Sequence, residues 1–181
     1  MMHFARSILI AVITICPQTY GANLFSTEES DRIVKACLDL GQKFAQYLDT
    51  GEYGKLATLF EENGEFIKPG GKYSGRESID LGFKQIPKDT VFVHVISNEV
   101  AEIHSKNLVV VTSYITRYHR IREKPGQPIT ASEILPTVII KNYDECVRTE
   151  DDTWLWQTRD ATLVFVIPPS ASTPQSSKPA T

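Results

Sequence analysis

Residues 91–102 read VFVHVISNEVAE, and this alternation of β-branched, aromatic and polar side chains decides the fold. Three similar stretches follow: 108–122 (LVVVTSYITRYHRIR), 134–148 (ILPTVIIKNYDECVR) and 154–167 (WLWQTRDATLVFVI). Turn or loop sequences rich in Ser, Asn, Asp, Gly and Pro separate them. Long strands joined in this way pair antiparallel and twist, so the pattern predicts a strongly curved antiparallel sheet.

Helical patterns precede the strands. Ser26 and Glu29 form a capping box, and Gly51 ends a first helix that carries Asp49 on its last turn. One apolar stripe follows this helix at helical spacing: Ile33, Cys37, Leu40, Phe44, Tyr47 and Leu48.

Two shorter helices and a hairpin are predicted between Gly51 and the sheet. Residues 54–60 predict a second helix, and residues 65–68 and 72–74 predict a small hairpin. Ser74 and Glu77 form another capping box, which would open a third helix that ends before a proline. The whole order predicts an α+β fold, with three N-terminal helices packed on a curved, mainly antiparallel sheet.

Composition limits the classes of function. The 181 residues are 41% hydrophobic, and 19 Lys and Arg stand against 22 Asp and Glu, for a net charge of −3. This balance lacks the basic surface that nucleic-acid binding requires, so no nucleic-acid partner is expected. The chain is long enough to bury the core of one domain without staples.

Both ends of the chain differ from the middle. One cation, Arg6, precedes a run of about ten apolar residues at 7–16 (SILIAVITIC), which is too short to span a membrane. The order is typical of a secretory signal peptide over residues 1–22, and the alternative is a buried N-terminal helix or strand. Residues 26–167 are the expected domain, and the Pro/Ser/Thr-rich residues 168–181 a disordered tail.

Removal of a signal peptide would leave two cysteines, Cys37 on the apolar helix stripe and Cys146 in a strand. An exported protein could join them, but the pattern favours two separate buried thiols. Neither has a Cys or His neighbour at metal-ligand spacing, so no metal site is predicted.

The predicted element order, together with four stretches of sequence, resembles the SnoaL-like branch of the nuclear transport factor 2-like superfamily. These stretches are residues 44–60 (FAQYLDTGEYGKLATLF), 73–79 (YSGRESI), 94–98 (HVISN), and 143–148 (YDECVR) running on to Trp154 and Arg159. The resemblance implies a cone-shaped fold around one pocket. It does not fix the function, because the superfamily contains dehydratases, isomerases, cyclases, dioxygenase small subunits and inert binding domains.

The catalytic candidates are His94, Asp49 and His119. His94 interrupts an apolar strand, and it is either a satisfied core histidine or, as the resemblance implies, a general acid or base. Asp49 is either an exposed helix-end acid or the carboxylate that the resemblance implies would orient the imidazole. His119 is either a rim histidine or a second pocket histidine. The predicted ligand-binding residues are Phe44, Tyr47, Phe92 and Asn142.

Two hypotheses of function remain at this point. One is a cofactor-free lyase or isomerase that moves a proton on a small hydrophobic carbonyl compound, through an Asp-His pair. The other is a secreted or periplasmic module that holds an apolar ligand without turnover. An interaction subunit fits poorly with a signal peptide. Contact between Asp49 and His94 would favour the enzyme, and a cavity filled by aromatic side chains would favour the module.

A homodimer is also expected. Val91, Val93 and Val95 share the strand face opposite Phe92 and His94. An apolar patch on that face needs cover, which a second copy could supply around a two-fold axis. The C-terminal segment of the chain itself is the alternative cover.

Overall fold

The computed structural model describes residues 24–122, 124, 126–129 and 136–167. The predicted signal peptide at 1–22 and the predicted tail at 168–181 lie outside the described residues. Within them, no helix has both the length and the hydropathy of a membrane span.

The first helix, α1, spans Thr27–Thr50 and has the predicted ends. The Ser26 hydroxyl accepts a hydrogen bond of 3.2 Å from the backbone N–H of Glu29. Gly51 ends the helix at a φ of 74°, a left-handed conformation in which a Cβ would be strained. The predicted stripe is buried except at Tyr47, which is partly exposed.

The second helix and the hairpin differ from their predicted bounds. Helix α2 spans Tyr53–Ala57, and Phe60 opens strand β1 (Phe60–Lys68), which pairs with β2 (Gly71–Ser74). An irregularity in β1 falls between Phe60 and Glu65. Gly64 lies within it, at a position where a Cβ would be only 2.9 Å from the Trp156 carbonyl oxygen.

The capping box predicted for the third helix is wrong. Helix α3 spans Arg76–Lys84, and its N-cap is Gly75 at a φ of 83°, without a side-chain cap. Ser74 instead ends β2, where its hydroxyl lies 3.4 Å from the Glu65 carboxylate. Ser74 therefore contacts Glu65 of the paired strand and does not cap α3. Ile79 and Phe83 of α3 are buried.

Four long strands follow: β3 (Thr90–Ser105), β4 (Leu108–Ile121), β5 (Val138–Arg148) and β6 (Trp154–Val166). They pair antiparallel in chain order, and β1 joins β6 in parallel, which gives the sheet order β2-β1-β6-β5-β4-β3. The α+β class is confirmed, although the sheet is mixed and six-stranded. Because β3 is an edge strand, one of its sides carries no neighbouring strand.

A disulfide joins Cys37 of α1 to Cys146 of β5, so the favoured prediction of two separate thiols is wrong. The two Cα atoms are 5.9 Å apart, and both residues are almost fully buried. The bridge ties the first helix to the centre of the sheet across 109 residues of chain. Pairs this remote in sequence leave no local pattern.

The outer face of the sheet carries exposed apolar side chains. Val93 and Val95 are each 50% exposed, and Phe165 is 61% exposed. The register aligns Val95, Thr116, Ile139 and Phe165 in one row across β3, β4, β5 and β6. The homodimer stays a prediction, and this row is the surface it would cover. Sedimentation at tens of micromolar protein should show a dimer, and a strictly monomeric profile would contradict it.

Candidate functional site

Asp49 and His94 are in direct contact. The Asp49 Oδ1 atom lies 2.5 Å from His94 Nδ1, and Asp49 Oδ2 accepts a 3.1 Å hydrogen bond from the His94 backbone N–H. The two elements explain this geometry: α1 ends beside β3, and the free side of that edge strand leaves an N–H for the carboxylate. Both carboxylate oxygens of Asp49 therefore form hydrogen bonds with His94.

This contact fixes the chemistry of the imidazole. Because a carboxylate oxygen can only accept, Nδ1 of His94 is the donor, and Nε2 of the neutral ring keeps a free lone pair. The His94 side chain is 4% exposed and Asp49 27% exposed, so the ring is largely screened from water. A screened imidazole with an oriented Nε2 can act as a general base.

Phe92 lies next to both candidate histidines. Its ring centroid lies 5.7 Å from that of His94 and 5.3 Å from that of His119, on which it stacks. His119 is the cross-strand partner of Phe92 and is only partly exposed. Burial, together with the charges of Arg117 and Arg120, lowers the pKa of His119, so this ring is neutral near pH 7. It can donate to or accept from an oxygen without carrying charge.

Arg117 is a site residue that the sequence analysis did not single out. It pairs directly with His94 across β3 and β4, and its guanidinium lies 5.8 Å from the Phe92 ring centroid. Burial lowers the pKa of Arg117, but a guanidinium stays protonated. The sequence pattern could have identified Arg117, because alternation along β4 places it on the same face as His119.

Asn142 lies on the same sheet face but farther from His94. It pairs with Ser113, and its side-chain N–H donates to the Ser113 hydroxyl at 3.4 Å. The row formed by Ile96, Ile115 and Ile140 lies between Asn142 and the row of His94. A role for Asn142 in ligand binding stays a prediction.

The two remaining predicted ligand residues lie toward the core. Phe44 is 4% exposed and packs against the rings of Phe66, Phe83 and Trp156 at centroid distances of 5.9, 5.8 and 5.5 Å. Tyr47 is partly buried, with Lys55 Nζ 5.8 Å from its ring centroid. The structure does not bring either ring into a described contact with His94.

A buried ion pair lies on the same sheet face. Arg159 Nη1 donates to Asp144 Oδ2 at 2.6 Å, and each side chain is 2% exposed. The guanidinium stacks between Phe44 and Trp156, at 4.4 and 4.2 Å from their ring centroids. Asp144 Oδ1 has no hydrogen-bond partner among the described residues. Both residues belong to the stretches that resemble the SnoaL-like branch, but neither was predicted to be a site residue.

A separate groove of the described structure does not contain the candidate acid/base residues. This groove of about 490 Å³ runs along α3 and β2, past Tyr73, Arg76 and Gln85, and it includes neither Asp49 nor His94. Arg76 itself bonds the Phe60 carbonyl and faces Glu62. Over the described part of the chain, no three His, Cys, Asp or Glu side chains form a metal-binding group.

Comparison with known families and structures gives a consistent result. The family model of the SnoaL-like domain matches residues 32–160. No curated protein sequence matches the chain.

Among solved structures, the "Putative Scytalone Dehydratase" of Novosphingobium aromaticivorans is 18% identical with a TM-score of 0.65, covering 85% of this chain and all of its own. A hexachlorocyclohexane dehydrochlorinase is 17% identical with a TM-score of 0.62, covering 81% of this chain and 98% of its own. A Catenulispora acidiphila protein in complex with S-DNPA is 17% identical with a TM-score of 0.61, covering 74% and 94%. At these identities the similarity shows the cone-shaped fold alone.

Proposed function

Because the chain belongs to the SnoaL-like family, we propose that it is a lyase or isomerase that moves a proton on a small hydrophobic carbonyl compound, without an organic cofactor. The observation that carries the proposal is the 2.5 Å contact between Asp49 and His94. The fold is shared with a dehydrochlorinase and with a protein described as a dehydratase, whose names denote eliminations. Because a fold alone does not fix an activity, the contact between Asp49 and His94 is the stronger support.

The pair supplies the groups that such a reaction needs. His94 Nε2 removes a proton from the carbon next to the carbonyl, and the ring becomes a cation. The Asp49 carboxylate stabilises that cation and keeps Nδ1–H pointing away from the substrate. His119, whose ring stacks on Phe92, donates a hydrogen bond to the carbonyl oxygen as negative charge develops there. In an elimination, the enolate electrons then break the bond between the next carbon and its leaving group, and the protonated His94 gives its proton to that group; in an isomerisation, His94 gives the proton to another carbon.

The pair should be essential for proton removal from a carbon acid. A suitable probe is 2-tetralone, a bicyclic ketone whose protons beside the carbonyl exchange with D₂O and can be followed by NMR. The natural protein should accelerate this exchange. His94→Ala should lower the protein-dependent rate by about 10²- to 10⁴-fold, the usual contribution of a general base. Asp49→Asn should also slow it, because an amide cannot balance the imidazolium charge.

His104→Ala is the matched control, since His104 lies on the same strand with a 48% exposed side chain. This variant should exchange the probe at the natural rate. Unchanged exchange in His94→Ala, with its fold retained by circular dichroism, would contradict the proposal. Exchange by the natural protein no faster than by buffer would favour a module that binds a ligand without turnover.

A further inference from the structure

We infer that the compound bound beside His94 carries a carboxylate, and that Arg117 binds it. The inference rests on the proposed function, since it concerns the same site and names the class of its substrate. Arg117 is the direct cross-strand partner of His94. Residues paired in this way on one sheet face have Cβ atoms about 5 Å apart, so their side chains border the same space.

The donors of Arg117 are not used by the described protein. Its Nε atom is buried without a hydrogen-bond partner, and no carboxylate of the described residues lies within 4.0 Å of its guanidinium. The acid of the site, Asp49, instead bonds His94 through both of its oxygens. A buried donor without an acceptor is costly, and the carboxylate of a bound ligand would supply the acceptor for Nε.

The other groups around Arg117 do not supply the missing negative charge. His94 and His119 are imidazoles, and Phe92 offers only the face of its ring. Arg120, the other nearby cation, pairs with Val91 on the opposite face of the sheet and bonds the His119 carbonyl oxygen at 2.7 Å, so it lies outside the site. This wall of the site is therefore positive, and a guanidinium fork matches the two oxygens of a carboxylate.

The apolar part of the same compound has a surface to lie on. Ile96 and Ile140 belong to the next row of the sheet and are partly exposed, and Phe92 flanks both histidines. An acid with a hydrophobic body would thus place its carboxylate at Arg117 and its apolar part along this row. His94 Nε2 would then face the carbon skeleton between them.

Binding of a matched pair of probes tests the inference without turnover. 2-Naphthoate and 2-acetonaphthone share one ring system, but only the first is an anion at neutral pH. The natural protein should bind the naphthoate at least about 10-fold more tightly by calorimetry, the effect of one charge-assisted contact. Arg117→Met should abolish that preference, and Arg117→Lys should keep part of it, because the lysine retains the charge but not the fork.

Arg120→Met is the control, because it removes a neighbouring cation that is exposed. It should keep the preference for the acid, and thermal melting should show that each variant folds. Equal affinities for the two probes, no measurable naphthoate binding, or a preference that survives Arg117→Met would each overturn the inference. These results leave the acid/base pair standing, whereas full exchange activity in His94→Ala would remove the pair and leave the carboxylate site intact.

Discussion

Alanine at both Cys37 and Cys146 should lower the free energy of unfolding by about 4 to 5 kcal/mol, the stabilisation expected of a cross-link that closes a loop of roughly a hundred residues. The bridge spans 109 residues and restricts the unfolded chain accordingly. Urea unfolding of the natural protein and of the double variant, each with and without reductant, measures the effect. Reductant should destabilise the natural protein only. Natural protein that is equally stable with reductant would show that the two thiols are not joined.

The same bridge bears on where the protein works. Structural disulfides persist in oxidising compartments, and we propose that the chain is exported through an N-terminal signal peptide. The intact mass of the natively expressed protein checks both points. It should correspond to a chain that begins near Ala22 or Asn23 and lacks the two thiol protons. A mass that includes Met1 would contradict export.

The second large effect concerns the buried pair of Asp144 and Arg159. Burial raises the pKa of Asp144 to about 7 against an ordinary 3.8, and the charges of Asp160 and Glu99 act in the same direction. Arg159 opposes this change, but it contacts only one of the two carboxylate oxygens. Burial also lowers the pKa of Arg159, so desolvation acts on both partners more strongly than their attraction does.

The stability of the natural protein should therefore fall as the pH rises through this window. Between about pH 4 and 7, folded Asp144 holds a proton that the unfolded chain has already released, so folding binds a proton there. Above the pKa of folded Asp144, the free energy of unfolding no longer falls with pH on account of this group. Asp144→Asn has no such proton, and its stability lacks this dependence. From about pH 5 to about pH 8, the natural protein should lose on the order of 2 kcal/mol relative to the variant.

Asp39→Asn is the control, because Asp39 forms an exposed pair with Lys35 that should contribute little. Urea unfolding of the three proteins at both pH values gives the comparison. A constant difference between the natural protein and Asp144→Asn would show that the carboxylate stays ionised when buried.

Local sequence predicted the helices and strands where each side chain interacts within its own element. The ends of α1 are an example, because Ser26 and Gly51 act on their own helix. The start of β1 was missed, since Glu61, Glu62 and Asn63 hide the alternation there. The parallel pairing of β1 with β6 and the bridge depend on residues far apart in sequence, and no local pattern encodes them.

The candidate site was also predictable only in part. The resemblance brought Asp49 and His94 together as candidates, and the structure places them in contact. Arg159 shows why the rest was hidden. Residues 156 and 159 are three positions apart, so strict alternation would place Arg159 and Trp156 on opposite faces of the sheet. A register shift near residue 157 instead turns both side chains to the buried face. A bulge of this kind converts a residue that looks solvent-exposed into a core cation.

The hydrogen bond from the His94 backbone to Asp49 has a consequence for solubility as well. β3 is sixteen residues long and lies at the end of the sheet, so its outer side offers a template on which the strand of another molecule could add. A carboxylate that occupies one of those N–H groups blocks this addition at the middle of the strand. We therefore expect the Asp49 side chain to limit aggregation, and its replacement should lower the solubility of concentrated protein even where the fold survives.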